Sequence, residues 1–181
     1  MTNDLAGPTD LAHLPGAPFT DAEVDAAVGA LRDALGWHVA PERADTAVPF
    51  DVQPYEDTLR LVTRKLVSVQ AVRRTSTSDP TGTPITNYQI SRRQGIVRRR
   101  GSYWPCGLEA VEVDFTHGYP ECPPELLAIL GQLAVAGRRD KSVRQVSIDD
   151  GSMSFGSGSA EFLLGTDLMS KYGYPKWAGA A

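Results

Sequence analysis

The stretch that decides the fold is residues 109–134, EAVEVDFTHGYPECPPELLAILGQLA. Its first eight residues alternate between apolar and polar side chains, which predicts a strand with one buried face. A turn follows at residues 117–120. Pro123 and Pro124 then open a helix that is apolar over more than half of its circumference, so we expect that helix to be deeply buried.

Upstream of this stretch the sequence predicts one helix and then short strands. Thr20 and Glu23 form a capping box, and an apolar stripe runs from there to Leu35, before the expected stop at Gly36. This pattern predicts a helix over residues 21–35. The strand-like segments are 37–39, 47–50, 59–63 and 66–72, followed by a loop at 75–84 and a hairpin of 85–90 with 95–99.

Downstream, the buried helix is expected to end at Gly137, before a charged connector at 138–144. A hairpin around an Asp-Gly turn at 149–151 comes next. A Gly-Ser joint then leads to a third helix over about 160–171 and an aromatic tail. The order of helix, β segments, buried helix, hairpin and helix predicts an α+β fold.

Chain length and composition indicate one globular domain with mobile ends. The chain has 181 residues, 41% of them apolar and 22% charged, which argues against wholesale disorder. We expect a flexible N-terminal arm at residues 1–18, a core domain at 19–155, and a joint, helix and tail at 156–181.

The formal charge of −4 hides a strong segregation. Residues 1–57 hold 11 acidic and 2 basic side chains, a net of −9; residues 58–108 hold 1 and 10, a net of +9; residues 109–181 hold 10 and 6, a net of −4. The total excludes a globally basic nucleic-acid binder. The segregation indicates that opposite surfaces meet, within one chain or between neighbouring chains.

The sequence contains no signal for a membrane span, a secretory leader or a catalytic site. There is no apolar run of 18 residues and no basic stretch followed by an apolar one at the N-terminus. Nucleophile-elbow and phosphate-loop motifs are missing, so we do not expect an enzyme. We expect no cofactor either.

A zinc site is the remaining metal hypothesis. Cys106, His117 and Cys122 have the spacing C-x10-H-x4-C, whereas structural zinc sites favour closely spaced ligand pairs. We therefore expect no metal. Nothing indicates an oxidising compartment, and whether the two cysteines pair is left open.

An arginine-rich segment is the boldest chemical feature. It contains Arg92, Arg93, Arg98, Arg99 and Arg100, followed by Tyr103 and Trp104. Guanidinium groups bind phosphate and carboxylate and stack on aromatic rings, so this segment could face DNA or a protein. The −9 block favours an acidic neighbouring subunit as the partner.

Three stretches together resemble the head-to-tail adaptor, or connector, proteins of long-tailed bacteriophages. They are Trp104-Pro105-Cys106-Gly107, Val111 to Tyr119 (VEVDFTHGY) and Cys122 to Leu127 (CPPELL). The early helix ending in Gly36 to Pro41 (GWHVAP) and the stretch from Val143 to Phe155 are similar to parts of the same family. The chain departs from the family pattern in its Gly-Ser joint and long aromatic tail.

The resemblance implies a structural protein of the virion neck, assembled in the host cytoplasm and without membrane contact. Such proteins form a ring, typically of twelve subunits, that extends the DNA channel beneath the portal and receives a stopper or tail-completion protein. The implied fold is a small helical bundle of three main helices with an inserted antiparallel β region. The implied partners are other copies of the chain, the portal protein, the stopper and the genomic DNA in the channel.

The resemblance also implies that the C-terminal segment contacts the portal. An aromatic tail on a short terminal helix is typical of a docking element, and packing onto its own core is an equal alternative. The docking hypothesis concerns Phe162, Leu163, Leu168, Met169, Tyr172, Tyr174 and Trp177. Two other functions stay open: a stopper or head-completion protein of the same neck, and a small Arg-rich DNA-binding module.

Overall fold

The chain folds into two compact units. The computed structural model describes residues 5–76, 79–139, 146–148, 151–153 and 158–174. Glu42–Tyr119 form one unit, here called the β unit, and the chain on both sides of it forms the other, the helical unit. This is the α+β architecture predicted from the sequence, a helical bundle with an inserted antiparallel β region.

The helices are α1 (Asp21–Leu35), α2 (Pro124–Arg139) and α3 (Gly158–Tyr172). The strands found in the described residues are β1 (Arg43–Val52), β2 (Thr58–Arg60), β3 (Leu66–Ser76), β4 (Asp79–Pro84), β5 (Tyr88–Ser91), β6 (Ile96–Arg99), β7 (Gly107–His117), β8 (Val146–Ile148) and β9 (Gly151–Met153). Among these residues no helix is both apolar enough and long enough to cross a bilayer.

The β unit contains two antiparallel sheets over a shared core. The larger sheet has the order β1-β7-β3-β4 and the smaller one β2-β6-β5. The strand predicted from the alternation at 109–116 is β7, one of the two inner strands of the larger sheet, with its apolar face buried. The core consists of Val52, Leu59, Leu61, Leu66, Val72, Val97, Trp104, Val111, Val113 and Phe115.

Helix α1 has the ends that its sequence predicts. The Thr20 hydroxyl accepts the Glu23 N–H at 3.4 Å, while the Thr20 N–H donates to a Glu23 carboxylate oxygen at 2.9 Å. The helix ends at Gly36, whose φ of 75° is easily reached only by glycine. Its apolar face is buried and packs against both α2 and α3.

Arg138, in the last turn of α2, clamps the start of α1. Its guanidinium donates to the Glu23 carboxylate at 2.8 and 3.0 Å, to the Gly16 carbonyl at 2.5 Å and to the Pro18 carbonyl. It also lies 4.8 Å from the centre of the Phe19 ring. Hydrogen bonds, first from Arg138 and next from the Thr20 N–H, lower the pKa of Glu23 to about 2. One planar cation thus ties together α2, α1 and the segment that precedes α1.

The described part of the predicted arm packs on the helical unit. Residues 5–18 form successive hydrogen-bonded turns, and Leu5 and Leu11 are buried. Leu14 lies so close to Gly131 of α2 that a Cβ there would stand 2.7 Å from the Leu14 Cδ1. The Gly and Pro content of the segment did not predict these contacts. The division at residues 18 and 155 stays a prediction.

Three predictions of secondary structure were wrong. Residues 37–39 do not form a strand, because Trp37 is buried and its indole N–H donates to the Tyr172 carbonyl at 2.6 Å. Residues 79–84, expected in a loop, form β4, because β3 offers its free edge as a pairing partner. Helix α2 does not end at Gly137 but continues for two more residues. A side chain at position 137 would meet open space.

A carboxylate on β7 joins the strands on both sides of it. Strand β1 bulges between Asp45 and Val48, and Ala47 there has a φ of 52°. Asp114 accepts the Ala47 N–H at 2.7 Å and also pairs with Arg73 of β3. Burial alone would raise the pKa of Asp114, but these hydrogen bonds outweigh it and hold that pKa below its ordinary value.

We expect Asp114→Ala to lower the free energy of unfolding by about 2 kcal/mol, because it removes the hydrogen-bond acceptor that Asp114 gives the Arg73 guanidinium and the Ala47 N–H. Chemical denaturation of the full chain measures this loss. Glu112→Ala is the matched control on the same strand. Its carboxylate lies 3.9 Å from Arg73, so we expect a loss below about 0.5 kcal/mol. Equal losses in the two variants would contradict this role of Asp114.

Candidate interaction surfaces

The arginine-rich segment folds as a β-hairpin in the β unit. Arg92 and Arg93 lie in the exposed turn between β5 and β6, Arg98 and Arg99 lie on β6, and Arg100 follows β6. The predicted hairpin is therefore confirmed, with Arg92 and Arg93 at its turn and Arg98 to Arg100 at and beyond the opposite end of β6. Their surroundings differ, so they do not form a uniform basic patch.

Arg98 already holds a carboxylate. It contacts Asp57 at 2.7 and 2.8 Å, with its own side chain 63% exposed. The Thr58 hydroxyl and then Arg98 lower the pKa of Asp57 through hydrogen bonds. The acidic N-terminal block thus supplies a partner for one arginine within the same chain.

Arg99 is tied to the core. Its guanidinium lies 5.4 Å from the centre of the buried Trp104 ring, and its backbone N–H donates to the Asp57 carbonyl at 2.8 Å. A side-chain N–H of Arg99 donates to the Asn87 carbonyl at 3.4 Å. We therefore assign Arg99 to packing rather than to an exposed binding group.

A surface pocket of about 520 Å³ lies beside Arg98 and Arg100. With its amide oxygen turned toward Arg100, Gln89 accepts two hydrogen bonds of 2.9 and 3.0 Å. These bonds position the Arg100 guanidinium while leaving the residue exposed. The lining residues are Asp57, Gln89, Arg98, Arg99, Arg100, Gly101, Ser102 and Tyr103.

An exposed aromatic pair borders this pocket. Tyr103 lines the pocket, is 56% exposed, and meets Tyr55 edge to face with ring centres 5.6 Å apart. Tyr55 is 81% exposed and has a φ of 65°. The sequence analysis did not include Tyr55 among the candidate residues. Its position after Pro54 in a polar turn is its only signal in the sequence.

The aromatic residues at the end of α3 pack largely on their own unit. Tyr172 is 4% exposed, and its carbonyl accepts the Trp37 indole N–H. The Tyr174 N–H donates to the Leu35 carbonyl at 2.7 Å, which ties the chain after α3 to the end of α1. This arrangement is the own-core alternative that the sequence left open for Tyr172.

The other predicted docking residues are divided by a kink at Gly165. Its φ of 61° and ψ of 177° break the helix, in a conformation that essentially only glycine adopts. Leu163 precedes the kink, and Leu168 and Met169 follow it; all three are half-buried. Phe162 belongs to α3, but its side chain lies outside the described residues, as does Trp177.

The described residues do not form a zinc site. His117 is 2% exposed and bonds to an Asp45 carboxylate oxygen at 2.9 Å. Both cysteines are free, and the described part of the chain contains no group of three side chains able to hold a metal. Burial lowers the pKa of His117 more than the bond to Asp45 raises it.

Comparison with known proteins finds similar folds among solved structures. No protein-family model and no curated sequence matches the chain. It is similar to a chain from the neck of a native gene transfer agent particle computed with C12 symmetry, with a TM-score of 0.57 and 16% identity. It is also similar to a chain from the neck of an empty particle computed with C6 symmetry, with a TM-score of 0.56 and 17% identity. Each comparison covers 100% of both chains. A chain from the virion of the native particle matches with a TM-score of 0.57 and 17% identity over 94% of this chain and 89% of that one. At these identities the likeness shows the fold alone.

The buried His117 generates a prediction about pH. Because the unfolded chain binds a proton on this imidazole more readily than the folded chain does, the free energy of unfolding should fall as pH drops from about 7 to about 5. His117→Gln keeps an amide near Asp45 without a titrating ring, so we expect a flatter profile. Denaturant titrations across this range measure the slope, with the exposed His13→Gln as control. A wild-type slope in His117→Gln would contradict the assignment.

Proposed function

We propose that this chain is a structural neck protein of a phage-like particle, and specifically a head-to-tail adaptor. The observation that carries the proposal is the fold likeness over the whole chain to proteins from gene transfer agent necks. Those necks were computed with C12 symmetry for the native particle and with C6 symmetry for the empty one. Rotational symmetry of this kind is what a closed ring of identical copies produces.

The charged groups of the described residues support a structural role over an enzymatic one. Two carboxylates with lowered pKa values face internal partners: Glu23 faces Arg138, and Asp114 faces Arg73. Burial raises the pKa of the Cys122 thiol to about 12, which keeps it protonated and unreactive at neutral pH. The lowered pKa values of Glu23 and Asp114 stabilise the folded chain at neutral pH, and none of these three shifts activates a nucleophile.

In the proposed ring, each copy contacts its neighbours, the portal above and a stopper or tail-completion protein below, with genomic DNA passing through the channel. The proposed site of action is the virion neck, after assembly in the host cytoplasm. Twelve copies would match the C12 symmetry of the native neck structure. A ring uses heterologous contacts, which suit a chain with separate acidic and basic segments.

The proposed portal contact lies on the C-terminal segment. Leu163, Leu168 and Met169 keep part of their apolar surface exposed, whereas Tyr172 is buried in its own unit. We therefore centre the docking proposal on the half-buried residues of α3, together with Phe162, Tyr174 and Trp177.

Reconstitution with the portal protein tests the function. We expect the purified chain and the portal of the same particle to form a stable ring-shaped complex, visible by size exclusion and electron microscopy. A chain that joins only after another neck protein has bound would be a stopper instead. Failure to join the portal under either condition, combined with salt-sensitive binding to DNA, would contradict the neck proposal and favour a DNA-binding module.

The docking proposal predicts a local effect of polarity on α3. Met169→Gln should weaken portal binding about tenfold, because it places an amide in an apolar contact. Pull-down titration against immobilised portal measures the change. Ser170→Gln is the matched control on an exposed neighbour. If both variants bind like the wild-type chain, α3 is not the portal contact.

A further inference from the structure

The pocket beside β6 and the aromatic pair next to it form one exposed surface, here called the Arg-Tyr surface. Its members are Tyr55, Arg98, Arg100 and Tyr103. Tyrosine and arginine are among the residues most enriched where protein partners bind tightly. Because these four side chains are exposed, folding alone does not explain them, and we consider a partner that binds to them.

The chemistry of the pocket fits a carboxylate. Arg98 already binds the Asp57 carboxylate of the same chain, at 2.7 Å. Arg100 is held by Gln89, an uncharged partner, and within the described residues no carboxylate pairs with it. A guanidinium that is positioned but not neutralised can accept an incoming carboxylate with little loss of side-chain freedom.

Hydrogen bonds hold the aromatic part of the surface in a strained backbone conformation. A φ of 65° is unfavourable for tyrosine, yet the turn around Tyr55 is fixed by hydrogen bonds. The Glu56 N–H donates to the Gln53 carbonyl at 3.2 Å, and the Trp104 N–H donates to the Glu56 carbonyl at 2.8 Å. The turn thus holds an exposed ring against Tyr103 in a conformation that glycine would adopt more easily.

We propose that the Arg-Tyr surface binds the acidic outer face of α1 in a second copy of this chain. The inference rests on the proposed ring and names the contact between its subunits. The outer face of α1 carries Asp21 and Asp33, opposite the buried stripe. The exposed Ala22 and Ala26 between them leave room for tyrosine rings to approach.

Charge complementarity identifies a second copy as the occupant. Residues 1–57 carry a net charge of −9 and residues 58–108 a net of +9, so each copy brings both halves of the contact. DNA fits less well, because the chain as a whole carries a net charge of −4, which disfavours a polyanion. The tyrosine rings also meet edge to face instead of forming a stacking platform for bases.

A charge exchange tests this contact. Sedimentation velocity of the full chain at low salt, over a range of concentrations, measures self-association. We expect Arg100→Glu to weaken association at least tenfold, on the order of the cost of one like-charge contact. In the proposed contact Asp33 lies opposite Arg100, so adding Asp33→Arg should restore most of the loss by reversing both charges of that pair.

Two control variants separate this contact from folding and from general electrostatics. Arg93→Glu makes the same charge change on the same hairpin, outside the pocket lining, and should leave association within about twofold of the wild-type value. Tyr55→Gly relieves the backbone strain, so it should fold at least as stably as the wild-type chain while weakening association. Thermal melts verify that every variant is folded.

Three outcomes would overturn the proposal: a wild-type chain that stays monomeric at every concentration, equal loss in Arg93→Glu and Arg100→Glu, or no recovery with Asp33→Arg. Equal loss accompanied by DNA binding would identify a nucleic-acid surface. Portal binding tests the proposed function separately. If the wild-type chain and Arg100→Glu bind the portal equally well, the neck function stands and only this subunit contact is contradicted.

Discussion

The contact on which the β unit depends is the carboxylate of Asp114, because it touches both strands that flank β7. It receives the Ala47 N–H from β1 and the Arg73 guanidinium from β3. A bulge that exposes a backbone N–H needs a fixed acceptor, and a half-buried guanidinium needs a counter-charge. One side chain meets both requirements and so links β1 and β3 to β7 in the larger sheet.

In the helical unit a cation plays the matching role. Arg138 joins the end of α2 to the start of α1 and to the segment before it. At the other end of α1, the Trp37 indole holds the last turn of α3 through the Tyr172 carbonyl. These two side chains thus donate to backbone carbonyls just before α1 and in the last turn of α3.

Local signals in the sequence predicted the elements whose pattern repeats within one segment. The alternation at 109–116 and the capping box of α1 needed no distant partner to be recognised. Strand β4 was missed because its composition is that of a loop and only pairing with β3 makes it a strand. The arginine cluster was predicted, whereas Tyr55 was not, because a strained turn that presents an aromatic ring has no sequence pattern of its own.

The charge segregation takes on a more specific meaning once the contacts are known. Part of the opposite charge is paired inside the chain, where Asp57 neutralises Arg98. Part of the positive charge stays on the surface around Arg100. A neck ring is the proposed setting in which the remaining charge is matched between copies. Cryo-electron microscopy of the neck in purified particles tests that account most directly. It predicts a ring of identical subunits between head and tail whose density fits both units of this chain; particles with intact necks from which the chain is absent would contradict it.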